Sequence, residues 1–187
     1  MENSKKLVVF YSYTGHTKMI AEMIQKKLNC DILEIKPVEP YSTDYQTVVD
    51  EEQRPESINH LKEIEKTNID LSKYTEIIVG FPTWWYIPAS PIRTFLKMND
   101  LSNKIIKPFA TNAGWLGRSF EEVAKLCPNS KVDSGLNIVF TENYQENKLV
   151  TSIEEINTWI ETLKYYLLFL IFIKIYTKNK RDIPLIF

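Results

Sequence analysis

The sequence predicts an α/β fold, a doubly wound five-stranded parallel sheet with helices on both faces. Two observations carry that prediction. Four short runs, Leu7 to Tyr11, Glu76 to Phe81 (EIIVGF), Ile105 to Ala110 and Gly135 to Phe140 (GLNIVF), are apolar and rich in β-branched or aromatic residues, the pattern of strands buried on both faces of a parallel sheet. Between them lie stretches with apolar residues at helical spacing, and that alternation is the pattern of βα units. A fifth run, Asp31 to Lys36 (DILEIK), alternates apolar and polar residues and fits a strand at the sheet's margin.

The 187 residues suit one domain of ordinary size. Net charge is −1, but four of the 23 basic residues and one of the 24 acidic ones follow Lys164, which leaves residues 1–164 at −4. That mild acidity argues against nucleic acid as a partner and suits docking to basic redox proteins. Cys30 and Cys127 have neither CxxC nor metal-type spacing, and MENSKK is no signal peptide. The expectation is a cytoplasmic protein with two free thiols and no metal site.

The first strand runs straight into Ser12-Tyr-Thr-Gly-His-Thr17, a cluster of hydroxyls with one glycine and no lysine. Residues 18–28 then carry apolar side chains at helical spacing, so the positive end of a helix faces the loop. Hydroxyl donors, a glycine turn and a helix N-terminus together make an anion site, and phosphate is the obvious guest. The GxxxxGK[ST] loop of nucleotide triphosphatases and the GxGxxG dinucleotide fingerprint are both absent. The plainer alternative is a strand followed by a Thr/Ser-capped helix.

After the DILEIK strand the chain turns polar. Pro37, Pro40 and Pro55 bracket Tyr41-Ser-Thr-Asp-Tyr45 and the acidic Asp50-Glu-Glu52. This reads as a connecting excursion with a short helix at Tyr45 to Glu52, in preference to a lid or partner surface. Leu61 to Asn68 reads as a polar helical piece leading into the third strand.

That third strand ends in Pro82-Thr-Trp-Trp-Tyr-Ile-Pro88. Three consecutive large aromatics between prolines cannot all enter one core, and an indole face suits stacking on a planar heterocycle. The loop follows a strand's carboxyl end, where ligands bind in open parallel sheets, so stacking is preferred to a core plug or subunit contact. Ser90-Pro91 opens the next helix with proline in its first turn. The fourth strand leads to Thr111-Asn-Ala-Gly-Trp-Leu-Gly-Arg118, whose glycines would let backbone N–H groups approach a ligand, and to a helix opened by Ser119 with Glu121 and Glu122 in its first turn. Pro128 ends that helix, and Ile153 to Leu163 is an amphipathic closing helix capped by Thr151 or Ser152.

Ser12 to Thr17, GFPTWW at Gly80 to Trp85, the Pro108-Phe-Ala-Thr-Asn-Ala-Gly114 loop and Gly117-Arg-Ser119 together resemble the flavodoxin family over residues 5 to 164, in particular its bacterial branch with a P-x-W-W loop. The resemblance implies strand order 2-1-3-4-5 and FMN as cofactor. It places the phosphate at Ser12, Thr14, Gly15, His16 (through its amide) and Thr17, with Tyr13 adjacent. Pro82, Thr83, Trp84, Trp85 and Tyr86 would form one wall of the isoalloxazine site, and Thr111, Asn112, Ala113, Gly114 and Trp115 the other. Where many relatives read T-S-G-G-S-G-x-G, this chain has the shorter T-N-A-G-W-L-G. No side chain is implied as a catalytic acid or base, because the flavin carries the electrons. Two functions follow as expectations. One is a low-potential carrier between a reductase and an acceptor enzyme, and the other is an FMN-dependent NAD(P)H:quinone-type oxidoreductase. Short loops and the lack of a second nucleotide pattern favour the carrier.

Residues 165–187 lie outside the resemblance and read as a hydrophobic and basic C-terminal extension. Tyr165 to Ile173 (YYLLFLIFI) is nine residues long, short of the roughly 20 needed to cross a bilayer. Continuation of the closing helix into an irregular end is the first expectation. An added edge strand, an anchor lying on a membrane or partner, and read-through are the alternatives.

Overall fold

The computed structural model describes residues 5–164 apart from 55, 57, 58, 144, 145 and 147. The expectations for the C-terminal extension fall outside the described residues.

Strand β1 (Lys6–Phe10) is buried at every position after Lys6. Gly15, at φ 94°, turns the chain into α1 (His16–Leu28), whose Thr17, Ile20, Ala21 and Ile24 repeat at helical spacing and are buried. Asn29, in the left-handed region at φ 48°, ends it. Strand β2 (Asp31–Glu34) pairs parallel with β1 at the sheet margin. Helix α2 (Tyr45–Glu52) is opened by Asp44, whose carboxylate accepts the Thr47 N–H at 2.7 Å. Strand β3 (Glu76–Trp84) runs three residues further than its apolar core. The two-residue β4 (Ile87–Pro88) folds back on it, with Thr83 opposite Pro88 and Trp84 opposite Ile87. Helix α3 (Ser90–Met98), β5 (Ile105–Asn112), α4 (Ser119–Leu126), β6 (Lys131–Val132) and β7 (Leu136–Val139) follow. A last helix, α5, occupies 153–164 of the described chain, with the Ser152 hydroxyl accepting the Glu155 N–H at 3.1 Å.

The sheet order is β2-β1-β3-β5, and β6 and β7 share the fifth position, both parallel to β5. This is the predicted order with the fifth strand broken in two. Pro108 supplies the break. It has no N–H to give, and the β5–β6 pairing stops at Ile106 while the β5–β7 pairing resumes at Phe109. Gly135 bridges the gap, where a Cβ would press on the Pro108 carbonyl and the Phe120 ring. On one face Ile92, Phe95, Leu96 and Val123 of α3 and α4 pack with Val48 of α2 against Leu7, Val9, Ile77 and Val79. On the other, Ile20, Ala21 and Ile24 of α1 and Ile156, Ile160 and Leu163 of α5 cover Val8, Phe10, Ile78 and Phe109. Gly80 makes room for the Phe109 ring, which a Cβ there would strike.

The helix predicted at Leu61 to Asn68 does not form. Ile64 bridges antiparallel to Pro37, and the Lys62 backbone is held extended at both ends. Its N–H donates to Ser90 Oγ at 2.7 Å, and its carbonyl accepts from Thr94 Oγ1 at 2.8 Å. Side chains on α3 thus satisfy the backbone groups that a helix would have used. Among the described residues no helix is long and apolar enough to cross a membrane.

Candidate functional site

The carboxyl ends of β1, β3, β5 and β7 open onto a cleft of about 310 Å³. It lies beside β1 and β3, where the strand order reverses, as binding sites in open α/β sheets do.

The loop after β1 forms one end. Gly15 sets the turn, and Ser12 Oγ accepts the Lys18 N–H at 3.2 Å, closing the start of α1. No acidic side chain lies in the first turn of α1, so its dipole meets no negative charge there. Tyr13, Thr14 and His16 line the cleft, whereas Ser12, Gly15 and Thr17 do not. Thr17 is buried, and its hydroxyl is shared with Thr111 Oγ1 at 2.7 Å. This bond ties the first loop to β5. The His16 ring lies flat against Phe140, with centroids 4.0 Å apart and planes 4° apart, so the imidazole is part of the wall as well as the amide expected from sequence.

Trp84 forms the opposite wall. It sits edge-on to Tyr41 at 5.0 Å, Tyr13 at 5.8 Å and Tyr11 at 5.9 Å, so three rings fix its plane. Lys62 Nζ lies 4.3 Å from the centre of the Tyr41 ring. Burial raises the Tyr41 phenol and the Glu52 carboxyl above their usual ranges, and each bears on the other. Trp85 and Tyr86 form the tip of the β3–β4 hairpin at φ 46° and 68°, a turn that normally takes Asn or Gly. The tip is pinned from below. Arg118 N–H donates to the Tyr86 carbonyl at 2.9 Å, and Gly117 fits beneath Tyr86 where a Cβ would collide. Thr83 and Ser119 share a hydroxyl contact at 3.1 Å. The three expected aromatics therefore divide their roles: Trp84 and Trp85 are half-buried, and Tyr86 is 54% exposed.

The second expected wall of the ring site is partly structural. Asn112 Nδ2 donates to Asn137 Oδ1 at 2.6 Å while its own Oδ1 accepts the Gly114 N–H at 2.8 Å, so this amide shapes the loop. Thr111, Asn112, Ala113 and Trp115 line the cleft and Gly114 does not; Trp115, 71% exposed, stands at the rim. Pro82 and Thr83 line the floor.

Two sets of lining residues escaped the sequence reading. Tyr45, Val48 and Val49 come from α2, so the excursion read as a mere connection closes one side of the cleft. Tyr41-x-x-x-Tyr45 and the apolar Val48-Val49 pair were the available signals. Phe140, Thr141 and Glu142 follow β7. The rule that placed ligands at the carboxyl ends of β1, β3 and β5 applied to them equally.

The fold and this cleft define a doubly wound α/β protein with a hydroxyl-bearing loop and an aromatic wall at the switch point. The family model described as flavodoxin matches residues 5–163, and the chain belongs to that family. A flavoprotein of Lactobacillus acidophilus NCFM, crystallised in complex with FMN, is 27% identical with a TM-score of 0.64, over 72% of this chain and 93% of that one. The apo form of the flavoprotein from that organism, solved by NMR, is 26% identical with a TM-score of 0.56, over 72% and 91%. A candidate flavoprotein of Bacteroides eggerthii is 25% identical with a TM-score of 0.67, over 86% and 98%. No curated protein matches the chain in sequence.

Proposed function

We propose that the protein is a cytoplasmic, FMN-binding flavodoxin that passes electrons between a reductase and an acceptor enzyme. The observation that carries this reading is that the hydroxyl loop after β1 and the Trp84–Trp85 hairpin after β3 line one cleft. The donor set fits a flavin mononucleotide. Neutral hydroxyls and a helix N-terminus suit a monophosphate. The cleft volume lies within the range of small-ligand sites, about 300 to 1,000 Å³. The binding of FMN by the Lactobacillus acidophilus relative supports the same choice.

In this reading Thr14 and the first turn of α1 hold the phosphate, Thr17 and Thr111 fix the loop against the sheet, and Trp84 and Trp85 present a flat apolar wall to the ring. Bound FMN supplies the electron transfer itself, while the protein binds it, orients it and keeps water from one face. The exposed Tyr86 and Trp115 flank the mouth through which a partner's redox centre would approach.

Purified protein should be yellow, and the cofactor released by heat should be FMN in a one-to-one ratio; stoichiometric FAD, or no flavin after reconstitution, overturns the proposal. Rapid NADPH oxidation with a quinone and no added reductase would favour the oxidoreductase reading over the carrier.

A further inference from the structure

The segment around Lys62 is extended where the sequence predicts a helix, and the extension delivers one side chain to the back of the aromatic wall. Lys62 Nζ lies 4.3 Å from the centre of the buried Tyr41 ring, and that ring stands perpendicular to Trp84 with centroids 5.0 Å apart. The lysine's backbone is stitched down on both sides. Its N–H and carbonyl bond to Ser90 Oγ and Thr94 Oγ1, both buried on α3. Val38 N–H donates to the Glu63 carbonyl at 2.9 Å, and Glu65 N–H donates to the Lys36 carbonyl at 2.8 Å. Tyr41, in contrast, lies in no helix or strand. Beside it, Tyr13 Oη donates to the Ser42 carbonyl at 2.7 Å. The ring is oriented by its aromatic faces and edges, since faces attract cations and aromatic pairs favour edge-to-face contact.

We infer that Lys62 is a positioning residue: its ammonium seats the Tyr41 ring, and the Tyr41 ring sets the plane of Trp84. The inference rests on the flavin reading of the cleft, in which Trp84 is a wall of the ring site. Charge balance does not account for the lysine. The Glu52 carboxylate feels Lys62, but Arg93, buried on α3, stabilises its charge more. Neither Lys62 nor Tyr41 is among the residues lining the cleft, so their effect on a ligand passes through Trp84. A cation over a ring face gives an attraction that depends on orientation, whereas an apolar side chain of similar length would only cover surface. The relay runs from α3 through the extended segment to Tyr41 and on to Trp84.

Lys62→Met removes the charge and keeps a flexible apolar stem, and Lys62→Arg restores a cation that stacks on aromatic faces. Each is made alone and beside Tyr41→Leu, with melting temperatures recorded throughout. In apo-protein the Met variant should lose near-ultraviolet aromatic circular dichroism with little change in melting, and the Arg variant should recover it. Affinity for FMN and for riboflavin should fall alike in the Met variant, by about three- to tenfold, and return in the Arg variant. Beside Tyr41→Leu, Lys62→Met should cost nothing further, because the ring that transmits its effect is gone. A loss confined to FMN makes Lys62 a distant charge for the phosphate and overturns the inference. So does a loss that persists beside Tyr41→Leu, one that Arg fails to restore, or a Met variant with unchanged ellipticity and affinity. Should Tyr41→Leu not fold, the comparisons of Met with Arg and of FMN with riboflavin decide. Wild-type protein that binds no flavin overturns the flavin reading instead, and the ellipticity of the apo-protein then decides the role of Lys62.

Discussion

Thr14 and Thr17 have the same side chain, lie three residues apart, and do different work. Thr14 lines the cleft, while Thr17 is buried and bonded to Thr111. Hydrogen bonds to a charged group contribute about 1.5 to 3 kcal/mol, so Thr14→Val should weaken FMN at least tenfold, leave riboflavin nearly unchanged and barely alter the melting temperature. Thr17→Val removes a buried bond and should lower stability by about 1 kcal/mol. Calorimetry and thermal melts on the two variants check both statements. The sequence put both hydroxyls on one phosphate loop, because the motif records residue type and spacing but not which side chain the sheet captures. Gly117 is a second case. Its φ of 58° and its contact with Tyr86 leave no room for a methyl group, so Gly117→Ala should displace the hairpin tip. Stability and FMN affinity should fall together.

At the scale of the element, the β3–β4 hairpin holds two non-glycine residues at positive φ, each at a cost of about 1 to 2 kcal/mol. Replacing Trp85-Tyr86 by Asn-Gly should therefore stabilise the fold in urea while weakening FMN binding, which is the trade expected where strain serves a site. If stability does not rise, the tip is not strained at the fold's expense. This hairpin was half legible. Three aromatics between prolines announced an exposed wall, yet the loop proved to be a strand extension with a turn, since Thr83 and Trp84 find partners in Ile87 and Pro88. The split of the fifth strand at Pro108 could have been read from a proline inside an apolar run. The extended 61–68 segment could not, because its partners Ser90 and Thr94 come from a distant helix. Strands and helices bounded by local signals were legible, and segments shaped by long-range hydrogen bonds were not.

For the whole molecule, the two thiols report the integrity of the fold. Burial pushes both Cys30 and Cys127 up to about 11, so the folded state keeps its thiols protonated where an unfolded chain ionises them. Their contribution to stability is complete below about pH 8.5, the unfolded thiol value, and is lost as pH rises toward 11. Urea denaturation should show stability falling across that window. The fall should be shallower in the Cys30→Ala, Cys127→Ala double variant, and an equal slope would remove the thiols from the account. Thiol reagents at pH 8 should react slowly with the folded protein and rapidly in denaturant.

In the proposed function, one cleft brings the hydroxyl loop and the indoles of Trp84, Trp85 and Trp115 around a single flavin. Three of the four tryptophans line it, and the fourth, Trp159, packs with Phe109 in the core beneath α1 and α5. Titration of apo-protein with FMN, followed by tryptophan emission, tests this most directly. Most of the emission should be quenched, with saturation at one equivalent and a residual signal that Trp159→Phe removes. Emission that stays unchanged, or that declines without saturating, would contradict the assignment of the cleft to FMN.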